Sequence, residues 1–351
     1  MAPARHRLAG LLAIRHLICA VALAVSGCQT DMRVSDVETL ADGETGRLRF
    51  PTRDVAGFGD FLTRPAEYNG STIGTLSLPS DASRTNKAPV MVILHGSGGE
   101  WSGRGAAHAW FLNEHGIGAF VVDTFVGRGL EKSDRYMLRL SKANLPDQVC
   151  DAFAALDLVS SHPYVDPQRI GVMGYSMGGI SSLMAAYDSV ARHASFSNRR
   201  FALHVAFYAP CIVRVADMKT TGAPIVGLWG EKDESTPRRD CESLVNDLRR
   251  GGSFIEDHWY PGAAHGWNSS RKMSFVRGAP NFATCRFEIA KGGKAEELTS
   301  GTELATDEDV VSAAECCTTM GYTIGRHAPT EEASRSDLLM FIRTYLGGAS
   351  S

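Results

Sequence analysis

No two cysteines in this chain are spaced C-x-x-C, and no C-x-x-C…H-x-x-x-H pattern occurs, so no zinc site and no other metal is expected. The chain also lacks G-x-x-x-x-G-K-[ST]. Its turn Gly96-Ser97-Gly98-Gly99 would need glycine at 101 to read as a dinucleotide loop, and Trp101 stands there. No cofactor is therefore expected. Excess positive charge is missing: 36 Lys and Arg against 39 Asp and Glu leave a formal −3, which argues against a nucleic-acid partner. Internal repeats and homopolymeric runs are absent. With 44% hydrophobic and 21% charged residues the composition is that of an ordinary globular protein, without a multi-span membrane signature.

At 351 residues there is room for one α/β core plus a signal and an insertion. Residues 1–27 have the outline of a secretion signal: basic residues up to His16, an apolar run from Leu17 to Val25, then Ser26-Gly27-Cys28. Val25-Ser26-Gly27-Cys28 resembles a bacterial lipobox, in which Cys28 is lipidated; an ordinary cleavage near Ala24 is the alternative. Either way the expected location is outside the cytoplasm, in the cell envelope or periplasm, with a membrane partner through the lipid anchor. Such a compartment lets disulfides persist, and six cysteines follow Cys28: Cys150, Cys211, Cys241, Cys285, Cys316 and Cys317. They allow up to three bridges, with Cys285 expected to pair with Cys316 or Cys317; Cys150 also suits a buried free thiol.

After an N-terminal extension and edge strand (28–65), apolar runs of strand length alternate with helical stretches through 66–267. The strands are read at Leu48–Phe50, Thr72–Leu78, Pro89–Leu94, Ala119–Val122, Arg169–Gly174, Phe201–Tyr208, Pro224–Trp229 and Phe254–Tyr260. Helices fall near Ala106–His115, Leu145–Ser160, Ser176–His193 and Arg238–Arg250. This alternation predicts an α/β fold with a mostly parallel central sheet and helices on both faces. Within Leu145–Ser160 the apolar residues recur at helical spacing, which turns Asp147, Asp151 and Asp157 toward water. From Asn268 the rhythm fails, giving an insertion or lid over 268–330 before a closing helix over 331–347.

Gly174-Tyr175-Ser176-Met177-Gly178 is a G-x-S-x-G where a strand meets a helix. A nucleophilic serine needs this sharp turn, and Gly174, Gly178 and Gly179 let neighbouring backbone approach without a Cβ clash. The helix start also brings the free N–H of Met177 to the reaction centre as an oxyanion donor. The second donor is expected in His95-Gly96-Ser97-Gly98-Gly99, with the Ser97 N–H first and Gly98 as the alternative; His95 is read as a structural residue of this loop. Beyond the strand ending at Gly230 come Glu231, Asp233 and Glu234. Asp233 is positioned to reach a histidine, and the two glutamates read as solvated charges. His265, in the small-residue loop after Trp259-Tyr260, is the base, and the order Ser176, Asp233, His265 is that of α/β-hydrolases. Trp101, Phe125 and Trp267 flank these loops, either as an apolar acyl pocket or as core.

The segments V-D-P-Q-R-I-G-V-M-G-Y-S-M-G-G, G-E-K-D-E-S-T-P and Y-P-G-A-A-H-G-W, with the strand running into H-G-S-G-G, resemble the dienelactone hydrolase-like branch of the α/β-hydrolase superfamily over about Pro89 to Trp267. Family dienelactone hydrolases carry cysteine at the nucleophile, where this chain has Ser176. The resemblance and the triad imply a serine hydrolase cleaving a small-molecule carboxylic ester through an acyl-enzyme. A prolyl-oligopeptidase-like peptidase and a non-catalytic binding lipoprotein are the alternatives. The insertion, following His265 directly, is expected to overhang the site and to be rigidified by a disulfide.

Overall fold

The computed structural model describes residues 33–347; the expected signal segment 1–27 and Cys28 lie outside them. The first ten strands are β1 (Ser35–Asp36), β2 (Gly46–Thr52), β3 (Gly70–Ser77), β4 (Ala88–Leu94), β5 (Gly118–Asp123), β6 (Val165–Tyr175), β7 (Leu203–Phe207), β8 (Val213–Val215), β9 (Ile225–Gly230) and β10 (Ile255–Tyr260). Nine of them, all but β8, form one sheet in the order β1-β2-β3-β5-β4-β6-β7-β9-β10. From β5 to β10 every neighbouring pair is parallel, and β2 and β3 add an antiparallel edge.

The reason is visible in β4. All five residues Val90–Leu94 are fully buried, as expected of a strand covered on both faces. Val90, Val92 and Leu94 pack with the helix Leu145–Ser160 on one side, whereas Met91 and Ile93 pack with the helices Arg104–Asn113 and Ala328–Leu346 on the other. The strand's period of two thus feeds two separate cores.

The helices Leu145–Ser160 and Arg238–Arg250 have the expected bounds, and the closing helix begins at Ala328 with Pro329 in its first turn. The single helix expected over Ser176–His193 is instead two, Met177–Met184 and Asp188–Ala194. Tyr187 bridges to Thr220, and Ala186 accepts the Thr221 N–H, so a cross-chain contact replaces the helical ladder at the break.

Asp147 and Asp151 do not face water. Asp151 is fully buried, accepting two N–H bonds from Arg128 at 2.8 and 3.1 Å and hydroxyls from Thr52 and Thr72. Asp147 is buried as well, closing the capping box with Asn144 and accepting the Val55 N–H. Both carboxylates belong inside because a distant cation and backbone donors satisfy them.

Residues 268–330, the expected insertion, have their own order. β11 (Ser274–Asn281) pairs antiparallel with β15 (Thr319–Ile324). Between them β12 (Phe287–Ile289) runs parallel to β8 and antiparallel to β13 (Ala295–Glu297), which pairs with β14 (Thr302–Glu303), and the helix Asp307–Cys317 follows. Glu297 is buried there, accepting the Arg286 and Ser300 N–H groups, although most of Lys291–Asp309 lies at the surface. Two disulfides form, Cys285–Cys317 and Cys211–Cys241, while Cys150 is a buried free thiol and Cys316 an exposed one. Cys317, not Cys316, is thus the partner of Cys285, and among the described residues two bridges form, within the limit of three. Among the described residues no helix is long and apolar enough to cross a membrane, and no cluster of His, Cys, Asp and Glu could hold a metal.

Candidate active site

Ser176 stands at the tip of the turn from β6 into the helix Met177–Met184, with φ 52° and ψ −113°. This backbone is strained for a residue with a side chain. It is held by the Ser176 N–H donating to the Phe207 carbonyl on β7. Gly178 makes the turn possible: a Cβ there would lie 2.4 Å from the Leu94 carbonyl oxygen. The helix start therefore packs directly on the end of β4.

The other predicted residues also come from loops at the C-terminal ends of sheet strands, the side on which open α/β sheets bind ligands. Asp233 follows β9 and His265 follows β10. His265 Nε2 lies 3.0 Å from Ser176 Oγ, and His265 Nδ1 lies 2.8 Å from Asp233 Oδ2. With the Nδ1 proton donated to the carboxylate, Nε2 is left free to accept from the serine hydroxyl. The three residues of the predicted triad are therefore in one hydrogen-bonded line, and both Asp233 and His265 are buried.

Sequence reasoning missed Ser235. Its N–H and hydroxyl both donate to Asp233 Oδ1, at 2.9 and 2.7 Å, and its Oγ is 2.8 Å from His265 Nδ1. The carboxylate is thus fixed on one oxygen by serine and on the other by histidine. An aspartate followed two residues later by a backbone donor is an Asx-turn, which was the available signal. Glu231 is exposed as expected, but Glu234 is not simply solvated: its carboxylate accepts the Thr323 N–H and its carbonyl accepts from Asn281. These bonds, with Gly325 N–H donating to the His265 carbonyl, fasten residues 268–330 to the Asp233 and His265 loops.

Three tyrosines bear on the site. Tyr208 and Tyr322 meet the His265 ring edge-on, with centroids 4.9 and 5.3 Å away. Burial, with the nearby Asp233 charge adding to it, pushes Tyr208 up to about 12 against the pull of Arg104, and raises Tyr322 too. Burial likewise raises Tyr136, against the pull of the nearby Ser97 side chain and the Arg139 charge. Tyr208 and Tyr322 flank the histidine as neutral phenols, and Tyr136 lines the adjoining cavity.

The loop bearing Ser97 packs on the serine turn: a Cβ on Gly96 would lie 3.4 Å from Ser176 Cβ. Met177 is the first residue of its helix, where backbone N–H groups have no carbonyl one turn earlier to bond. Ser97, Ser176 and Met177 line one cavity of about 110 Å³. His95, kept neutral by burial, bonds the Gly96 carbonyl through Nδ1, and its own carbonyl accepts from Gln148. It belongs to the shape of the loop.

Trp101, Phe125 and Trp267 do not line this cavity. Trp267 is fully buried against Tyr208 and Phe125 against His95, so core packing is their place, while the half-buried Trp101 stacks on Phe125. The cavity is walled instead by Met137 and Leu140 of the helix Tyr136–Lys142, by Ile212, and by Phe282, Phe287 and Val311 of the insertion. None of these was singled out by the sequence.

The dienelactone hydrolase family model matches residues 74–286, more than half of the chain. An Escherichia coli (strain K12) protein named "Putative carboxymethylenebutenolidase" is 29% identical over 138 residues, 38% of this chain and 49% of that protein, so the match spans about half of that relative's length. Among solved structures, a Klebsiella pneumoniae protein titled "Putative Dienelactone Hydrolase" is 15% identical, with TM-score 0.51 over 78% of this chain and 94% of that one, a likeness of fold. A thermophilic esterase from Thermogutta terrifontis, with propionate bound, is 16% identical at TM-score 0.45 over 57% of this chain and 82% of that one. With the family's match, sheet order and strand-to-helix turn together, this chain belongs to the dienelactone hydrolase family of α/β-hydrolases.

Proposed function

We propose that the protein is a serine hydrolase cleaving carboxylic esters, with Ser176 as nucleophile, His265 as base and Asp233 as the acid that orients it. The observation carrying this reading is the line Ser176 Oγ–His265 Nε2 at 3.0 Å and His265 Nδ1–Asp233 Oδ2 at 2.8 Å, opening on a cavity. Ser176 Oγ attacks the acyl carbon as His265 takes its proton, and the imidazolium so formed is stabilised by Asp233. The N–H groups of Met177 and Ser97 receive the oxyanion. His265 then protonates the leaving alcohol, and water, activated by the same imidazole, releases the acyl group.

Two disulfides support an exported protein working in an oxidising compartment, with residues 1–27 as signal and Cys28 as the lipid-anchored first residue. A serine nucleophile suits that setting, where an activated thiolate is liable to oxidation. In this assignment residues 66–267 with the closing helix form the catalytic core and 268–330 its cover.

The purified chain is expected to turn over p-nitrophenyl butyrate and to leave peptide 4-nitroanilides intact over the same period. Faster release of nitroaniline than of nitrophenol would make it a peptidase. Release of neither by folded protein would leave the non-catalytic reading.

A further inference from the structure

Every side chain lining the cavity at Ser176 is uncharged. Two of its polar side chains are also engaged. The Asn144 side chain accepts the Asp147 N–H and donates to Asp307 Oδ1, and the Ser176 hydroxyl is bonded to His265 Nε2. Nothing there would replace the water around a carboxylate or an ammonium group, and burying such a charge without a partner is costly.

The walls are also fixed. Phe282 and Phe287 lie on either side of Cys285, and Val310 and Val311 sit on the helix that ends at Cys317, so the Cys285–Cys317 bridge ties one wall to another. Phe287 pairs with Val213 on β8, beside the lining residue Ile212 and next to Cys211, which is bonded to Cys241. Both disulfides thus brace the chain that shapes this space.

We propose, resting on the serine-hydrolase reading above, that this cavity is the acyl pocket, that it accepts uncharged aliphatic acyl groups of about four carbons, and that Phe282, Phe287 and Val311 set that limit. Size supports the figure. An apolar cavity of about 150 Å³ holds one benzene, and this one measures about 110 Å³. Each methylene buried before the pocket fills raises kcat/KM about fourfold, and those beyond it meet the braced wall. The same surroundings select against acyl groups that carry a carboxylate.

The test is kcat/KM for p-nitrophenyl acetate, butyrate, hexanoate, octanoate and hemisuccinate with wild type, Phe282→Ala and Val311→Phe. In parallel, calorimetry reads binding of the 4-nitroanilides of the same acids to Ser176→Ala, which reports on the pocket without turnover. Expected are an optimum at butyrate, hemisuccinate at least about 100-fold below it, a shift of the optimum to hexanoate or octanoate in Phe282→Ala, and a shift to acetate in Val311→Phe. The anilides bound by Ser176→Ala follow the wild-type order. A flat chain-length profile, hemisuccinate equal to butyrate, or an unmoved optimum in both folded variants overturns the pocket assignment. A wild type that hydrolyses no ester overturns the hydrolase reading instead, while the anilide series still decides which acyl groups the pocket holds.

Discussion

Ser176→Ala is expected to lower kcat on p-nitrophenyl butyrate about 10⁴- to 10⁶-fold with little change in KM, because the variant keeps the cavity and the oxyanion donors but has no oxygen to form the acyl-enzyme. The fold should survive. Alanine meets the positive φ at 176 no worse than serine does, and the Ser176 N–H bond to the Phe207 carbonyl is retained. A kcat within tenfold of wild type, in protein with unchanged circular dichroism, would place the nucleophile elsewhere.

Asp151→Ala should be the most damaging single change away from the site. It leaves the Arg128 guanidinium, whose side chain is 7% exposed, without its bidentate partner, and strips the Thr52 and Thr72 hydroxyls of their acceptor. Removing one partner of a buried pair costs about 3 to 5 kcal/mol. The lower end is expected, since Asp54 remains 2.9 Å from Arg128 and Asp147 remains 3.5 Å away. Urea denaturation with an unchanged m-value reads the loss directly. A loss below about 1 kcal/mol would mean that the remaining acids carry the arginine alone.

These two residues mark how far the sequence can be read. The serine turn is legible because its requirements are local: a strand, a helix and glycines in five residues, with the acid and base in loops after later strands. β4 and the second half of β6, from Ile170 on, are legible for the same reason, since burial on both faces writes an unbroken run without charged residues, whereas the partly exposed Asp166–Arg169 of β6 lies outside it. Asp151 is not. Its helix pattern turns it outward, and only Arg128, brought across by the fold, makes the interior tolerable for a carboxylate. The break after Met184 is similar, for it depends on Thr220 arriving beside Tyr187.

The pocket was the least legible part. β12 is a three-residue strand whose parallel partner β8 lies on the far side of two core strands in the sequence, so no local periodicity announces Phe287. Of the large aromatics beside these loops, Phe125 and Trp267 pack into the core and Trp101 stacks half-buried on Phe125. The lid expectation gave the insertion a place near the site. Bonds from Thr323 to Glu234 and from Gly325 to His265 hold residues 268–330 beside the Asp233 and His265 loops.

The central claim is that Ser176 is the nucleophile activated by His265. It is tested most directly by treating the purified chain with an alkyl fluorophosphonate and locating the adduct by peptide mass spectrometry. The account predicts one modified residue, Ser176, with labelling abolished in Ser176→Ala and slowed strongly in His265→Ala. An adduct on another residue, or ester turnover that persists in protein fully labelled at Ser176, would contradict it.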